Sequence, residues 1–328
     1  MKFNMPHIDP HVHCRDWNED YKATIKSTVE LAAKKGIIAV FDMPNTNPPI
    51  VSKKLAERRL RLAASEGVLE PYYLYAGITK DEKQIKEVAG LASKNRKVVG
   101  LKMFAGKSVG DLAIADEEGQ KMVYETLAEA GYEGIVAVHC EKEKYFDMKR
   151  WDPEKPYTWN LARPPIAELE SVKDQIRFAS SAGFNGTLHI AHVSTPEAVA
   201  EIDKARRRLN ITCGATPHHL LLSTNEMRDP NGLAYKVNPP LRDEKTRRGL
   251  MSCLKKSMID WIETDNAPHT RAEKTKPPYM SGIQSLKLYG RLLDTLYSIG
   301  LDESSVYMLT YANIVERFGM ERRGKLGI

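Results

Sequence analysis

Two histidines one residue apart, followed two positions later by an arginine, stand near the start of the chain: His11, His13 and Arg15, within IDPHVHCRD at residues 8–16. In an extended strand, alternate side chains share a face. His11, His13 and Arg15 then point one way, and Ile8, Val12 and Cys14 the other. Two imidazoles on one face can hold one metal ion, and a guanidinium beside them can meet an anion. An isolated H-x-H also fits a pair of surface histidines, so the rest of the chain has to decide.

Groups of the same chemistry recur downstream. Asn45, Lys102, His139, His192 and Asp265 each fall at or just past the end of a short apolar run. Imidazole nitrogens and carboxylate oxygens are the usual ligands of zinc. His11, His13, His139, His192 and Asp265 make five candidates, one more than a closed tetrahedral site takes, which points to two ions. Lys102 is the odd member, because an ammonium beside two cations is repelled. It is either a structural or surface lysine, or an amine that has reacted with carbon dioxide. The resulting carbamate is an anion whose two oxygens can bridge two metals.

The elements that must position these groups alternate in type. Apolar, β-rich runs at 7–13, 37–43, 72–78, 98–104, 134–140, 186–193, 210–216 and 258–265 predict strands. Amphipathic patterns at 22–35, 53–66, 81–93, 117–130, 165–182 and 196–209 predict helices. Several of these open on Pro or Asp and close on Gly, and Ser52 is placed to cap the second. Eight strands alternating with helices predict a parallel (β/α)8 TIM-type barrel of the α/β class. A doubly wound open sheet is the competitor, but no G-x-G-x-x-G follows a strand. Barrel enzymes carry their chemistry at the C-terminal ends of the strands, and the polar residues above fall there.

The chain has 328 residues, 42% hydrophobic and 28% charged, with a formal net charge of +6. This is a soluble globular balance, read as one barrel domain over residues 1–328. The basic residues are dispersed, apart from short clusters at 204–208 and 322–325 that read as solvated helix ends, which argues against nucleic acid as a partner. Cys14, Cys140, Cys213 and Cys253 are isolated, as expected of free thiols in a reducing compartment. No leader or membrane-length apolar run is evident, so a cytoplasmic protein without membrane attachment is expected.

Longer motifs carry a resemblance. DPHVHCRD, MPNTNPP (43–49), GLKMFAGKSVGDL (100–112), VHCE (138–141), AHVST (191–195), TPHHLLL (216–222), VNPPLR (237–242) and TDNAPH (264–269) occur in the order seen in dihydroorotases of the amidohydrolase superfamily. The match runs from about residue 7 to the end, and the chain resembles the lysine-type members. The resemblance implies a (β/α)8 barrel with two zinc ions. His11, His13 and Asp265 would hold the more buried ion and His139 and His192 the other, with carboxylated Lys102 and a hydroxide bridging them. It implies reversible cyclisation of N-carbamoyl-L-aspartate to L-dihydroorotate in pyrimidine synthesis, with Asp265 as proton shuttle. Arg15, Asn45 and His269 would bind the substrate carboxylate, and Asn238 would contact the ring. Ser108 and Val109 would form the tip of a mobile lid flanked by Gly106 and Gly110. Family members often self-associate, and some associate with aspartate carbamoyltransferase.

Three features depart from the family pattern. Asn266 stands where a histidine is usual, and is expected to point off the metal. Gln284 replaces an acid. The flanking segments that build a small β-sandwich in relatives have no counterpart, so a barrel without that domain is expected. Among the remaining motif residues, His7 reads as structural and His189 as facing the helices. His218 and His219 read as packing groups near the site, and Arg163 with Glu168 as an ion network at a helix start. Two rivals stand beside the dihydroorotase reading. One is another cyclic amidohydrolase such as a hydantoinase or allantoinase, whose substrates lack the carboxylate that Arg15 would bind. The other is a non-catalytic dihydroorotase-like scaffold, which would be expected to lose metal ligands that this chain keeps.

Overall fold

In the computed structural model, which describes residues 5–107 and 112–323, every apolar run read as a strand forms one. The strands are β1 (His7–Val12), β2 (Ile37–Asp42), β3 (Tyr72–Gly77), β4 (Val98–Ala105), β5 (Ile135–Cys140), β6 (Thr187–Ile190), β7 (Ile211–Ala215) and β8 (Trp261–Ile262). They lie in one parallel sheet in sequence order. No second sheet forms among the described residues.

The sheet curls until β1 meets the segment after β8. Asp265 N donates to His11 O at 2.9 Å, and His13 N to Asn266 O at 3.0 Å. Asp9 adds a side-chain stitch, accepting from Thr264 N at 2.9 Å and from its hydroxyl. These bonds satisfy backbone groups that an open edge would leave unpaired. The architecture is the expected (β/α)8 barrel.

Helices cover its outside: α1 (Ile25–Ala33), α2 (Lys53–Ser65), α3 (Glu82–Lys94), α4 (Glu117–Glu129), α5 (Trp159–Ala162), α6 (Pro165–Ser181), α7 (Pro196–Ala205), α8 (Pro217–Leu221), α9 (Glu244–Lys255), α10 (Arg271–Thr275), α11 (Tyr289–Ser298), α12 (Glu303–Tyr307) and α13 (Asn313–Phe318). Local chemistry sets their starts. Ser52, Asp81, Asp116, Thr195 and Asp243 each accept a bond from the first turn of the helix that follows, a cap that stabilises by about 1 kcal/mol. The first helix starts three residues later than its pattern predicts, because Thr24 and Ser27 form a reciprocal capping box.

Two hydrophobic layers result. One packs strand residues such as Val40, Leu74, Leu101 and Val138 against the helices. The other fills the barrel with Phe41, Tyr75, Val99, Ile135 and Trp261. Phe318 of α13 closes the end of this inner layer edge-on to Phe41, with ring centroids 4.9 Å apart. Ile8 belongs to the inner layer, not to the face it shares with Val12 by simple alternation. An irregularity in pairing between Asp9 and Val12 resets the parity, so Ile8 and His11 both reach the interior.

Candidate metal centre and active site

The ends of β1 and β8 bring three ligand-type side chains together. His11, His13 and Asp265 are buried, and one ligand atom of each lies within 4.8 Å of the others. His13 Nε2 is 2.9 Å from Asp265 Oδ1, and His11 Nε2 is 3.4 Å from the same oxygen. Burial alone would raise the Asp265 pKa. The bond from His13 and the neighbouring imidazoles of His11, His13 and His218 override it and hold the carboxyl pKa below its ordinary range. Asp265 takes a left-handed backbone, φ 48°, a conformation that costs a non-glycine residue of order 1–3 kcal/mol. It is held there by its backbone bond to His11.

A second group adjoins the first. His139 ends β5, and its Nδ1 lies 3.3 Å from Nε2 of His192, which follows β6. Ring centroids run His13 to His11 at 5.5 Å, His11 to His192 at 5.2 Å and His192 to His139 at 4.9 Å, a continuous arc of four imidazoles. Burial lowers the pKa of His11 to about 4, of His192 well below its ordinary value, and of His139 as well. These rings are neutral at pH 7, the form that binds a metal. Lys102 on β4 is fully buried, and its Nζ has no hydrogen-bond partner. Burial brings its pKa down to about 8 against the opposing pull of Glu263 and Asp265. Nδ1 of His192 is likewise buried without a partner. Buried polar atoms are ordinarily paired. Unpaired ones converging beside neutral imidazoles and an ionised carboxylate fit a site for cations.

The same cavity reaches the groups expected to bind substrate. One cavity is lined by His11, His13, His139, His192, Asp265, Arg15, Asn45, Asn238 and Gly282, among others. Arg15 donates from Nη2 to His269 Nε2 at 3.2 Å and from Nε to Pro268 O at 3.3 Å. His269 is buried beneath Arg15, and its Nδ1 lies 3.6 Å from Glu273. Asn238 Oδ1 accepts from Trp159 Nε1 at 3.0 Å, which leaves its amide nitrogen for a ligand. Ser108 and Val109 lie outside the described residues.

No protein-family model matches the chain. Curated relatives do. It is 33% identical over 325 residues to the dihydroorotase of Halobacterium salinarum, covering 97% of this chain and 72% of that protein. It is 31% identical over 335 residues to the dihydroorotase of Methanosarcina mazei, covering 97% and 70%. The chain belongs to the dihydroorotase family. That makes it a hydrolase of cyclic amides. Among solved structures, the L-hydantoinase of Arthrobacter aurescens superposes with a TM-score of 0.83 over 96% of this chain and 71% of that one, at 22% identity. The D-hydantoinase of Bacillus sp. AR9 gives a TM-score of 0.79 at 21% identity. At such identities the likeness is one of fold.

Within this dihydroorotase-family barrel, several residues near the site escape a reading by motif and period. Glu263 reaches into the interior and accepts from His189 Nε2 at 3.1 Å and from the backbone N–H of His192. His189 therefore faces inward, stacked on Trp261 at 4.4 Å, and not toward the helices. The three-residue step from His192 does not preserve strand parity, because β6 ends at Ile190 and His192 has φ 44°. Arg163 and Glu168 do not pair with each other. Arg163 forks onto Glu141, with Nε to Oε1 at 3.1 Å, and Glu141 in turn lies 3.1 Å from His139 Nε2. Glu168 takes Ser194 N, Ser194 Oγ and Thr195 Oγ1, next to Arg242. Asn266 points away from the imidazoles and accepts from Leu286 N at 3.3 Å. Lys236 and Lys274 are buried under the segment that lines the cavity, bonded to Tyr279 O, Ser281 Oγ and Gly282 O. Buried polar pairings of this kind leave no local signal, since most of the partners are distant in sequence.

Proposed function

We propose that the chain is a dihydroorotase, interconverting L-dihydroorotate and N-carbamoyl-L-aspartate at two zinc ions. The observation that carries this reading is the placement of Arg15, braced by His269, in one cavity with the arc of four imidazoles and Asp265. His11, His13 and Asp265 would hold one ion and His139 and His192 the other, with Lys102, as its carbamate, between them. The unpaired, buried Lys102 Nζ supports this, since only a neutral amine can add carbon dioxide. Bound there, two ions supply a water of lowered pKa and polarise the carbonyl under attack.

The chain's own residues do the rest. Arg15 offers a planar fork to the carboxylate that dihydroorotate carries and hydantoins lack. Asn45 and His269 complete that anion site, and the Asn238 amide meets the ring. In ring opening, water oxygen joins the carbonyl carbon as the amide C–N bond breaks. Asp265 accepts the water proton on a carboxylate oxygen and passes it to the departing ring nitrogen, and ring closure runs the same path backwards. Ser108 and Val109 are proposed as the lid tip.

The four free, buried cysteines support a cytoplasmic enzyme, and no described helix is long and apolar enough to cross a membrane. Self-association, or association with aspartate carbamoyltransferase, is proposed on the family resemblance alone. The test is a ring-opening assay of the zinc-loaded protein on L-dihydroorotate, hydantoin and allantoin. Turnover of dihydroorotate alone is expected. Hydantoin or allantoin turnover without dihydroorotate turnover overturns the assignment.

A further inference from the structure

Glu263 sits where no motif asks for an acid. It is buried in the barrel, and its carboxylate faces three histidines, His11 from β1 and His189 and His192 from β6 and the turn after it. One oxygen accepts from the backbone N–H of His192, which is held in a left-handed conformation. The other accepts from His189 Nε2 at 3.1 Å and lies 3.8 Å from His11 Nδ1. His11 Nδ1 is buried without a hydrogen-bond partner, and the Glu263 carboxylate is the acceptor beside it, while His11 Nε2 is the ring atom turned toward Asp265. Room for the carboxylate comes from β7. A Cβ built on Gly214 would stand 2.5 Å from Glu263 Cδ and 2.7 Å and 2.9 Å from its two oxygens. The carboxylate therefore fills the space that any side chain on position 214 would need.

We infer that Glu263 is a positioning residue for the metal centre: it directs Nε2 of His11 and pins the strained His192, with Gly214 as its obligatory small neighbour. A ligating histidine needs its second nitrogen held by an acceptor, which fixes tautomer and ring orientation. Here the acceptor stands just past β8, on the far side of the seam from β1. His189, stacked on Trp261 and bonded to Thr212 Oγ1 at 3.1 Å, locks the carboxylate in turn. The inference rests on the proposed metal centre, and its test reads metal binding without turnover.

Zinc affinity of the purified full chain is measured by chelator competition. Glu263→Gln puts an amide N–H where an acceptor is needed, and should lower affinity about 10–100-fold with an unchanged circular dichroism spectrum. Gly214→Ala puts a methyl group against the carboxylate, must displace it, and should lower affinity as well. Wild-type affinity in Glu263→Gln, or in a folded Gly214→Ala, overturns the inference. A crystal structure of the zinc-loaded wild type decides the matter if neither variant folds. Zinc on His11 Nε2 with Nδ1 drawn within hydrogen-bond distance of Glu263 supports it. Ligation through Nδ1, or Glu263 turned away, refutes it. A wild-type chain that holds no zinc defeats the metal reading itself, and this inference with it.

Discussion

His13 Nε2 and Asp265 Oδ1 lie 2.9 Å apart although 252 residues separate them, across the seam where β1 closes onto the segment after β8. The contact puts an ionised carboxylate beside the imidazoles at the rim where barrel enzymes work. Asp265→Asn keeps the shape and removes the basic oxygen. Turnover should fall by about 10²–10⁴-fold, the usual size of a lost acid–base group, with an unchanged circular dichroism spectrum. Wild-type rates would remove Asp265 from proton transfer.

Arg15 and His269 should govern the substrate's carboxylate and not the metal. Arg15→Met removes charge-assisted bonds that contribute about 1.5–3 kcal/mol. KM for carbamoyl-aspartate should rise roughly 10–150-fold, while zinc content stays at the wild-type level. Parallel loss of zinc would give Arg15 a structural role.

The Glu141–Arg163 fork carries a pH signature. Burial would raise the Glu141 pKa, but Arg163 and His139 override it and hold it at about 2. A folded pKa below the unfolded value means stability that is present above about pH 4.5 and is lost as pH falls toward 2. Arg163→Met leaves that carboxylate buried without its main partner, at a cost of about 3–5 kcal/mol. Urea unfolding at pH 7 should show that loss, and the variant's acid dependence should be shallower than the wild type's. An unchanged midpoint would mean the pair is dispensable.

Lys236 and Lys274 give a slope of the same sign in a higher pH window. Burial lowers both pKa values to about 7, with Arg163 adding to the effect at Lys236, and Lys236 to that at Lys274. Between pH 7 and the ordinary lysine value the unfolded chain binds more protons than the folded one, so these groups make stability rise with pH. Thermal midpoints at pH 7, 8 and 9 should increase in that order, after correction for other titrations by comparison with Lys274→Met. That variant strands Lys236 O and Gly282 O. It should lose about 1–3 kcal/mol and part of the slope. An equal slope in wild type and variant would contradict the assignment.

The sequence shows the barrel and the ligand-type residues for the same reason: strand runs and caps are local, and each polar residue at issue ends a run. Ser52 caps where it was expected to. Alternation fails where the backbone leaves the ideal strand. The pairing irregularity after Asp9 turns Ile8 inward, and the left-handed turn at His192 breaks its parity with His189. Partners across the barrel are equally hidden. Nothing local to Glu263 tells of His11, His189 or the space at Gly214, and nothing near Arg163 selects Glu141 over Glu168.

The central claim is a pair of zinc ions caged by six side chains drawn from β1, β4, β5, β6 and β8. The most direct measurement is anomalous diffraction at the zinc edge from crystals grown with zinc and bicarbonate. Two peaks are expected, one among His11, His13 and Asp265 and one at His139 and His192, with density extending from Lys102 Nζ between them. An empty cavity, or zinc bound only elsewhere, would contradict the account.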